Sequence, residues 1–436
     1  MNIIERGRRF LQFLRELANK SAWAWRQCPH CASTDTCKHG FYARRPWFFE
    51  GRKVVFVQRH LCHNCGRTYS EQHALLIRGA WYAREVRRYA IDQWQYGGGS
   101  LRRVAEFTRS LLGRQERWQF WRPLDGQPGP EERCYLAASS IHRWLDGAGK
   151  EAQHTVEGQL AGVGTSGQMG TDGLWARLRG RAENAARYNK RVVLAVMDSV
   201  SGVIWPPVVT KGEEALRAWG EMFERAKAAG LELDEVRGIT SDWATGLRGY
   251  LQSKLAWVNH QRCVWHLWRS LREELTARID EAVAGLPEAV AVPVRKAVRQ
   301  ELVALVRAVV DARGEAEAKE ALLALASHHL GSGLARVIGD SLDSLLVYLL
   351  EFNAGLVRVS PEWYWRDFRL RLSRGRNHGS DERLERAILV WSIYRNFTPA
   401  QWRSERKRKY RHPGLSPLAV AGVPPGKISY LDALAV

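Results

Sequence analysis

Hydrophobic patterning predicts a group of strands in the middle of the chain. Residues 191–197 are almost continuously apolar, which is typical of a strand buried on both faces. Residues 169–178 alternate like a strand, and residues 203–209 predict a third strand after a turn that Asp198 begins. Apolar residues at helical spacing then predict a helix over 213–229. This order is typical of an α/β domain.

The stretch over residues 236–269 continues the alternation of strands and helices. A β-prone run over 236–240 leads to Asp242, and residues 243–255 have helical spacing. The apolar residues 255–258 predict another strand, before a further helix that starts at Cys263. An acid at the carboxyl end of a strand lies where ligands dock in α/β sheets, although such a residue also caps helices.

The flanking regions are predicted to be mainly helical. Residues 278–360, rich in Ala, Leu, Val, Glu and Arg, predict an all-α insertion between two parts of the α/β domain. A helix, a break and a helix within a predicted helical domain resemble a helix-turn-helix DNA reader with a longer connection. The predicted divisions are an N-terminal helix (1–20), the helical domain (78–150), the two α/β parts (165–277 and 361–400) and a basic tail (401–436).

Two C-x2-C pairs, Cys28/Cys31 and Cys62/Cys65, predict a zinc ribbon over residues 21–77. Zinc takes four thiolates in a tetrahedron, and each tight pair presents two sulfurs to the same ion. Because protein ligands fill all four positions, the predicted ion is structural. Cys37 and His39 are surplus to this set, and two interpretations stay open for them: replacing one of the four ligands, or only lying nearby.

Charge and cysteine usage narrow the class of partner. The chain carries 66 Lys and Arg against 46 acids, a net charge of +20, which favours a polyanionic partner. No apolar run approaches the roughly 20 residues needed to span a bilayer, and the N-terminus lacks a signal-peptide pattern. Clustered cysteines suit metal in a reducing compartment. We therefore expect a cytoplasmic, nucleoid-associated protein that does not bind membranes.

The middle of the chain resembles the DDE transposases, especially the Mutator-like insertion-sequence type. The matching residues are Gly170-Thr-Asp172, Thr240-Ser-Asp242 at a strand end, and Cys263-x2-His266, with 263 − 242 = 21 residues between the second acid and the cysteine. A helical insertion before the third acid is also usual in that family. The resemblance covers roughly residues 168–400.

The resemblance implies an RNase H-like mixed sheet in which Asp172 and Asp242 lie on adjacent strands and bind catalytic Mg²⁺. The family's third acid usually follows an Asn by three positions, whereas His-Gly-Ser follows Asn377 here. The candidates are therefore Glu385, which we prefer because it precedes an Arg in a family-like ending, and Glu382. Cys263 and His266 are expected to brace the helix near the site without binding metal.

The implied activity is that of a Mg²⁺-dependent DNA transposase. Two metal ions would support cleavage at the element's ends and attack of the freed 3′-hydroxyl on target DNA. The expected partners are double-stranded element ends and target DNA, with the protein at least dimeric because two ends must be joined. The alternatives are a DNA-binding regulator with an inactive RNase H-like domain, or a nuclease that cuts without strand transfer.

Overall fold

A computed structural model describes the chain from residue 27 onward, with internal gaps. The described residues are 27–71, 73–77, 79–97, 99–112, 136–154, 160–178, 190–212, 214–349, 364–369, 379–399, 414–426, 428–434 and 436. The predicted N-terminal helix and the basic run over residues 403–411 of the tail lie outside these residues.

The described strands form an N-terminal β-module and one larger sheet. The strands are β1 (Thr36–Arg44), β2 (Trp47–Phe48), β3 (Gly51–Arg52), β4 (Val55–Cys62), β5 (Thr68–Ser70), β6 (Gln168–Arg177), β7 (Lys190–Asp198), β8 (Val208–Lys211), β9 (Gly238–Ser241) and β10 (Asn259–Arg262). The described helices are α1 (Arg84–Gly97), α2 (Leu101–Leu111), α3 (Ala138–His154), α4 (Leu216–Ala228), α5 (Thr245–Lys254), α6 (Val264–Ala282), α7 (Glu288–Val310), α8 (Glu315–Ser327), α9 (Ser332–Gly339), α10 (Leu342–Leu345), α11 (Asp381–Phe397), α12 (Pro417–Val420) and α13 (Tyr430–Ala433).

The N-terminal β-module is a three-stranded antiparallel sheet in the order β1-β4-β5, accompanied by the β2-β3 hairpin. Its apolar core is small: one cluster contains Phe48, Val57 and Leu76, and a second joins Tyr69 to the cysteines. So few buried apolar side chains leave much of the stabilisation to other contacts, as is usual in small metal-binding modules.

The larger sheet is mixed and has the strand order β10-β9-β6-β7-β8. The first three strands in the chain, β6, β7 and β8, pair antiparallel, whereas β9 runs parallel to β6 and β10 parallel to β9. Gly170 on β6 lies opposite Thr240 on β9. Continuing this register by two residues brings Asp172 level with Asp242, which follows the end of β9.

Helices cover both faces of the mixed sheet. On one face, α4 and α5 pack against the sheet through a core that includes Trp205, Trp219 and Phe223, all fully buried. On the other face, α1, α2, α3 and α11 form one continuous core with the sheet, around residues such as Leu174 and Trp391. The predicted helical domain thus shares its core with the α/β domain, because its apolar faces meet those of α11.

The chain from α6 to α10 is helical and has a separate apolar core. This core includes Leu267 and Leu271 at the start of α6, and it continues through α7, α8 and α9. The described residues of the predicted all-α insertion therefore carry helices and no strand of the larger sheet. No helix in the described part of the chain is long and apolar enough to cross a membrane.

Two strand predictions were displaced. The predicted strand over 255–258 is wrong, since the β-strand at this place is Asn259–Arg262 and its sequence is polar. Gln261 explains this placement: its buried amide donates to Leu345 O at 2.9 Å and accepts from Tyr348 N at 3.0 Å. Backbone groups of the helical region thus satisfy the hydrogen-bonding atoms of a buried polar side chain on this strand. The predicted third strand over 203–209 begins later, at Val208.

Candidate metal centres

The four predicted zinc ligands come together in the N-terminal β-module. Their sulfur atoms lie within 4.8 Å of one another, and the Cys28–Cys65 and Cys31–Cys62 sulfur pairs are each 3.6 Å apart. Four thiolates at about 2.3 Å from a tetrahedral zinc ion would lie about 3.8 Å apart, whereas a disulfide requires about 2.05 Å. The cluster is therefore compatible with structural zinc.

Both cysteine knuckles have the same local backbone geometry. Ala32 N donates to Cys28 O at 2.8 Å, and Gly66 N donates to Cys62 O at 2.9 Å. The residue after each pair is left-handed, with φ of 59° at Ala32 and 67° at Gly66. Glycine adopts this conformation without strain, while alanine costs roughly 1–2 kcal/mol. The first knuckle holds its geometry despite that cost.

The thiols of the cluster do not ionise independently. The backbone N–H of Ser33 is the main cause that lowers the pKa of Cys31 to about 7. The N–H of Arg67 lowers the pKa of Cys65, but desolvation and the neighbouring cysteines outweigh it and raise that pKa to about 12. Bringing four thiolates this close needs a cation, because each charge opposes the next.

A second group of metal-ligand atoms lies at the edge where β6 and β9 run side by side. One ligand atom each of Asp172, Asp242 and His266 lies within 4.8 Å of the other two. Asp172 is buried at 2% exposure, and its Oδ1 accepts a hydrogen bond from Gly173 N at 2.9 Å. Asp242 Oδ1 accepts from Ala244 N at 3.1 Å, so this acid also helps to begin α5.

His266 and Cys263 have different positions, although the sequence predicts a bracing role for both. Cys263 is fully buried and precedes α6, and its backbone N donates to Ser241 O at 2.7 Å, which ties α6 to the end of β9. His266 lies in the first turn of α6, and its imidazole joins the two aspartates. Its ring also contacts the Trp265 ring edge-on, with the centroids 4.7 Å apart.

The backbone directly after Asp242 is strained. Trp243 has φ of 75°, which a side-chain-bearing residue adopts at a cost of roughly 1–2 kcal/mol. The Trp243 ring stacks on His260 with the centroids 4.3 Å apart, and His260 Nε2 and Ser241 Oγ are 2.7 Å apart. Burial, and secondarily the charge of Arg248, lower the pKa of His260 to about 3. A neutral imidazole therefore supports the strained turn that positions Asp242.

The acids predicted on α11 lie elsewhere. Glu385 forms an ion pair with Arg225 of α4, and neither Glu385 nor Glu382 belongs to the group around Asp172. The Glu382 side chain is 75% exposed and lies 3.7 Å from Arg386. Both glutamates are thus next to cationic partners.

One acid beside this centre carries no sequence motif and, like Glu385 and Glu382, lies outside the group of ligand atoms within 4.8 Å of one another. Glu214 lies between β8 and α4, and burial, followed by the negative charge of Asp242, raises the pKa of its carboxyl to about 7. Among the described residues no hydrogen-bond donor reaches its Oε2. The only sequence signal is an acid just before a predicted helix, which is usually a capping pattern.

Asp198 is a buried acid with a structural role. It is fully buried in the turn after β7, where Oδ2 accepts from Thr165 Oγ1, Ser166 N and Ser166 Oγ, and Oδ1 accepts from Val200 N, Ser201 N and Ser201 Oγ. These contacts occupy both carboxylate oxygens and fix the turn.

The two centres differ in chemistry. The first consists of four sulfur ligands, which suit zinc, and the second of two carboxylates, which suit a harder divalent cation, together with one imidazole. No protein-family model matches this chain, and no curated protein matches it.

Proposed function

We propose that this protein is a DNA transposase whose centre for cleavage and joining contains Asp172 and Asp242. The observation that carries the proposal is the meeting of these two aspartates, distant in the chain, on β6 and directly after the adjacent parallel strand β9, beside His266. The strand order β8-β7-β6-β9-β10, with β7 antiparallel to its neighbours, supports an RNase H-like sheet. The sequence resemblance to DDE transposases includes the same three residues, Asp172, Asp242 and His266.

The donor set at this centre fits a hard divalent cation. The two carboxylates suit Mg²⁺ or Mn²⁺, whereas the imidazole of His266 is a donor that softer transition metals prefer. Such a cation, when bound, would activate a nucleophilic oxygen and stabilise the charge on the leaving oxygen of a phosphodiester. Asp242 and His266 are oriented by the ends of β9 and α6, which Cys263 ties together.

The β-module offers surfaces suited to DNA. Its exposed side chains include the basic residues Lys38, Arg45 and Arg67, together with Phe41 at 67% exposure and Phe56 at 64%. A two-stranded ribbon fits the major groove, and basic side chains contact phosphates. In the proposed protein the zinc ribbon binds element ends and takes no part in the chemistry.

The direct test incubates the full chain with DNA that carries its flanking element ends, with Mg²⁺ or Mn²⁺ present. Nicks at the ends followed by strand-transfer products support a transposase, and nicks alone support the nuclease alternative. DNA binding without either product supports the regulator alternative.

Asp242→Asn provides the matched variant for this test. It keeps the shape of the side chain but removes the charge that binds a cation, so we expect cleavage to fall by several orders of magnitude. DNA affinity should stay equal or rise, because a carboxylate facing phosphates has been neutralised. Cleavage by this variant at a rate near that of the wild type would refute the assignment of the centre.

A further inference from the structure

Glu214 is held against both segments that carry the aspartates. A Cβ added to Gly173, the residue after Asp172, would lie 2.2 Å from Glu214 Oε1. A Cβ added to Gly246, the second residue of the helix after Asp242, would lie 1.9 Å from Glu214 O. Two glycines therefore leave the space that the Glu214 side chain and backbone occupy.

The Glu214 side chain is half-buried, and one of its two carboxylate oxygens is unsatisfied in the described part of the chain. No hydrogen-bond donor among the described residues reaches Oε2, and this atom is buried from solvent. Buried carboxylates are almost always hydrogen-bonded, paired with a cationic side chain or bound to a metal ion. Glu385, by contrast, has Arg225 as its partner, and the exposed Glu382 lies beside Arg386.

We propose that Glu214 supplies a third carboxylate to the divalent-cation site of Asp172 and Asp242. This inference rests on the proposed function, since it assumes that the aspartates bind a cation. The ligand is a hard divalent cation such as Mg²⁺ or Mn²⁺, which prefers carboxylate oxygens and offsets the repulsion between adjacent acids. Gly173 has a defined part in this arrangement, because any larger residue there displaces the Glu214 carboxylate.

The test measures Mn²⁺ binding to the zinc-loaded full chain without DNA, by isothermal titration calorimetry and by the electron paramagnetic resonance signal of free Mn²⁺. We expect Glu214→Gln to weaken Mn²⁺ binding at least tenfold and Asp242→Asn to weaken it at least as much. Glu385→Gln is the matched control, because it also removes one acid, and it should stay within about twofold of the wild type.

Gly173→Ala gives an independent variant in case Glu214→Gln is poorly folded. It changes no charge, yet its methyl group should move the Glu214 carboxylate and weaken Mn²⁺ binding as well. Circular dichroism on each variant confirms that the fold is retained.

The outcomes separate this inference from the proposed function. If Glu214→Gln and Gly173→Ala bind Mn²⁺ like the wild type while Asp242→Asn does not, the inference fails and the centre stands. If Asp242→Asn also binds normally, the cation site itself is wrong. Loss of binding in Glu385→Gln, with Glu214→Gln unaffected, overturns the inference in favour of the acid predicted from the sequence.

Discussion

Replacing Cys62 with serine should release zinc from the N-terminal β-module and unfold it. Cys62 is fully buried at the end of β4, and its sulfur lies 3.6 Å from that of Cys31. A serine hydroxyl remains neutral near pH 7 and is a poor zinc ligand, so three thiolates remain. Because the apolar clusters of this module are small, they cannot hold the knuckles together without the ion.

The size of the effect follows from the four-ligand geometry. Structural zinc contributes about 10–16 kcal/mol of apparent binding free energy in small zinc domains. If the four thiolates of the cluster share this equally, losing one costs about 2.5–4 kcal/mol, or roughly two to three orders of magnitude in zinc affinity. The true cost is larger where the knuckles unfold, since the remaining ligands are then no longer held in place.

The assay combines zinc content, measured by mass spectrometry, with amide hydrogen exchange over residues 28–70. Cys62→Ser should lose zinc, exchange rapidly over this range and bind element ends more weakly. Cys37→Ser is the matched control, since Cys37 lies on β1 outside the cluster. It should keep zinc and the exchange rates of the wild type. Wild-type protein purified without chelators and found free of zinc would refute the reasoning.

Three further predictions concern buried and paired charges. Because the pKa of His260 is lowered to about 3 by burial and by Arg248, the folded state resists its protonation. The contribution of His260 to the free energy of unfolding is therefore fully present above about pH 6.5 and falls by about 2 kcal/mol when the pH is lowered to 5. In urea unfolding, His260→Asn should reduce this dependence of the free energy of unfolding on pH. Asp198→Asn should cost about 3–5 kcal/mol in the same assay, because an amide cannot accept from donors on both sides; a loss below 1 kcal/mol would contradict it. Glu385→Gln should cost about 1–3 kcal/mol by breaking a partly buried ion pair, against less than about 0.5 kcal/mol for the exposed Glu382→Gln. Cleavage assays on these two glutamate variants test the third acid predicted from the sequence: both variants should keep cleavage if Glu214 is the third acid, whereas activity lost only in Glu385→Gln or only in Glu382→Gln would favour that residue instead.

Local spacing was sufficient to predict the cysteine cluster. Two C-x2-C pairs determine their own knuckle geometry, so the sequence needs only the intervening β-ribbon to bring Cys28 and Cys31 to Cys62 and Cys65. The apolar run that became β7 was equally clear, because a strand buried on both faces needs apolar residues at nearly every position.

Contacts between distant elements were decided by the tertiary structure. The polar strand β10 was missed because its buried Gln261 is satisfied by backbone groups of Leu345 and Tyr348, which the local pattern does not contain. For the same reason the sequence placed His266 near the site in a structural role without showing that its imidazole meets the aspartates, and it did not indicate that Glu385 pairs with Arg225.

Part of the acid site was therefore predicted from the sequence, and part of it was found only in the tertiary structure. The sequence determined that Asp242 ends a strand, because a β-prone run and a following helix are local features. Only the packing of α4 and α5 on the sheet brings Glu214 over Gly173, since that contact depends on the missing Cβ of a residue far away in the chain. Periodicity reports which face of an element is buried, whereas the identity of its neighbour across the core is set by topology.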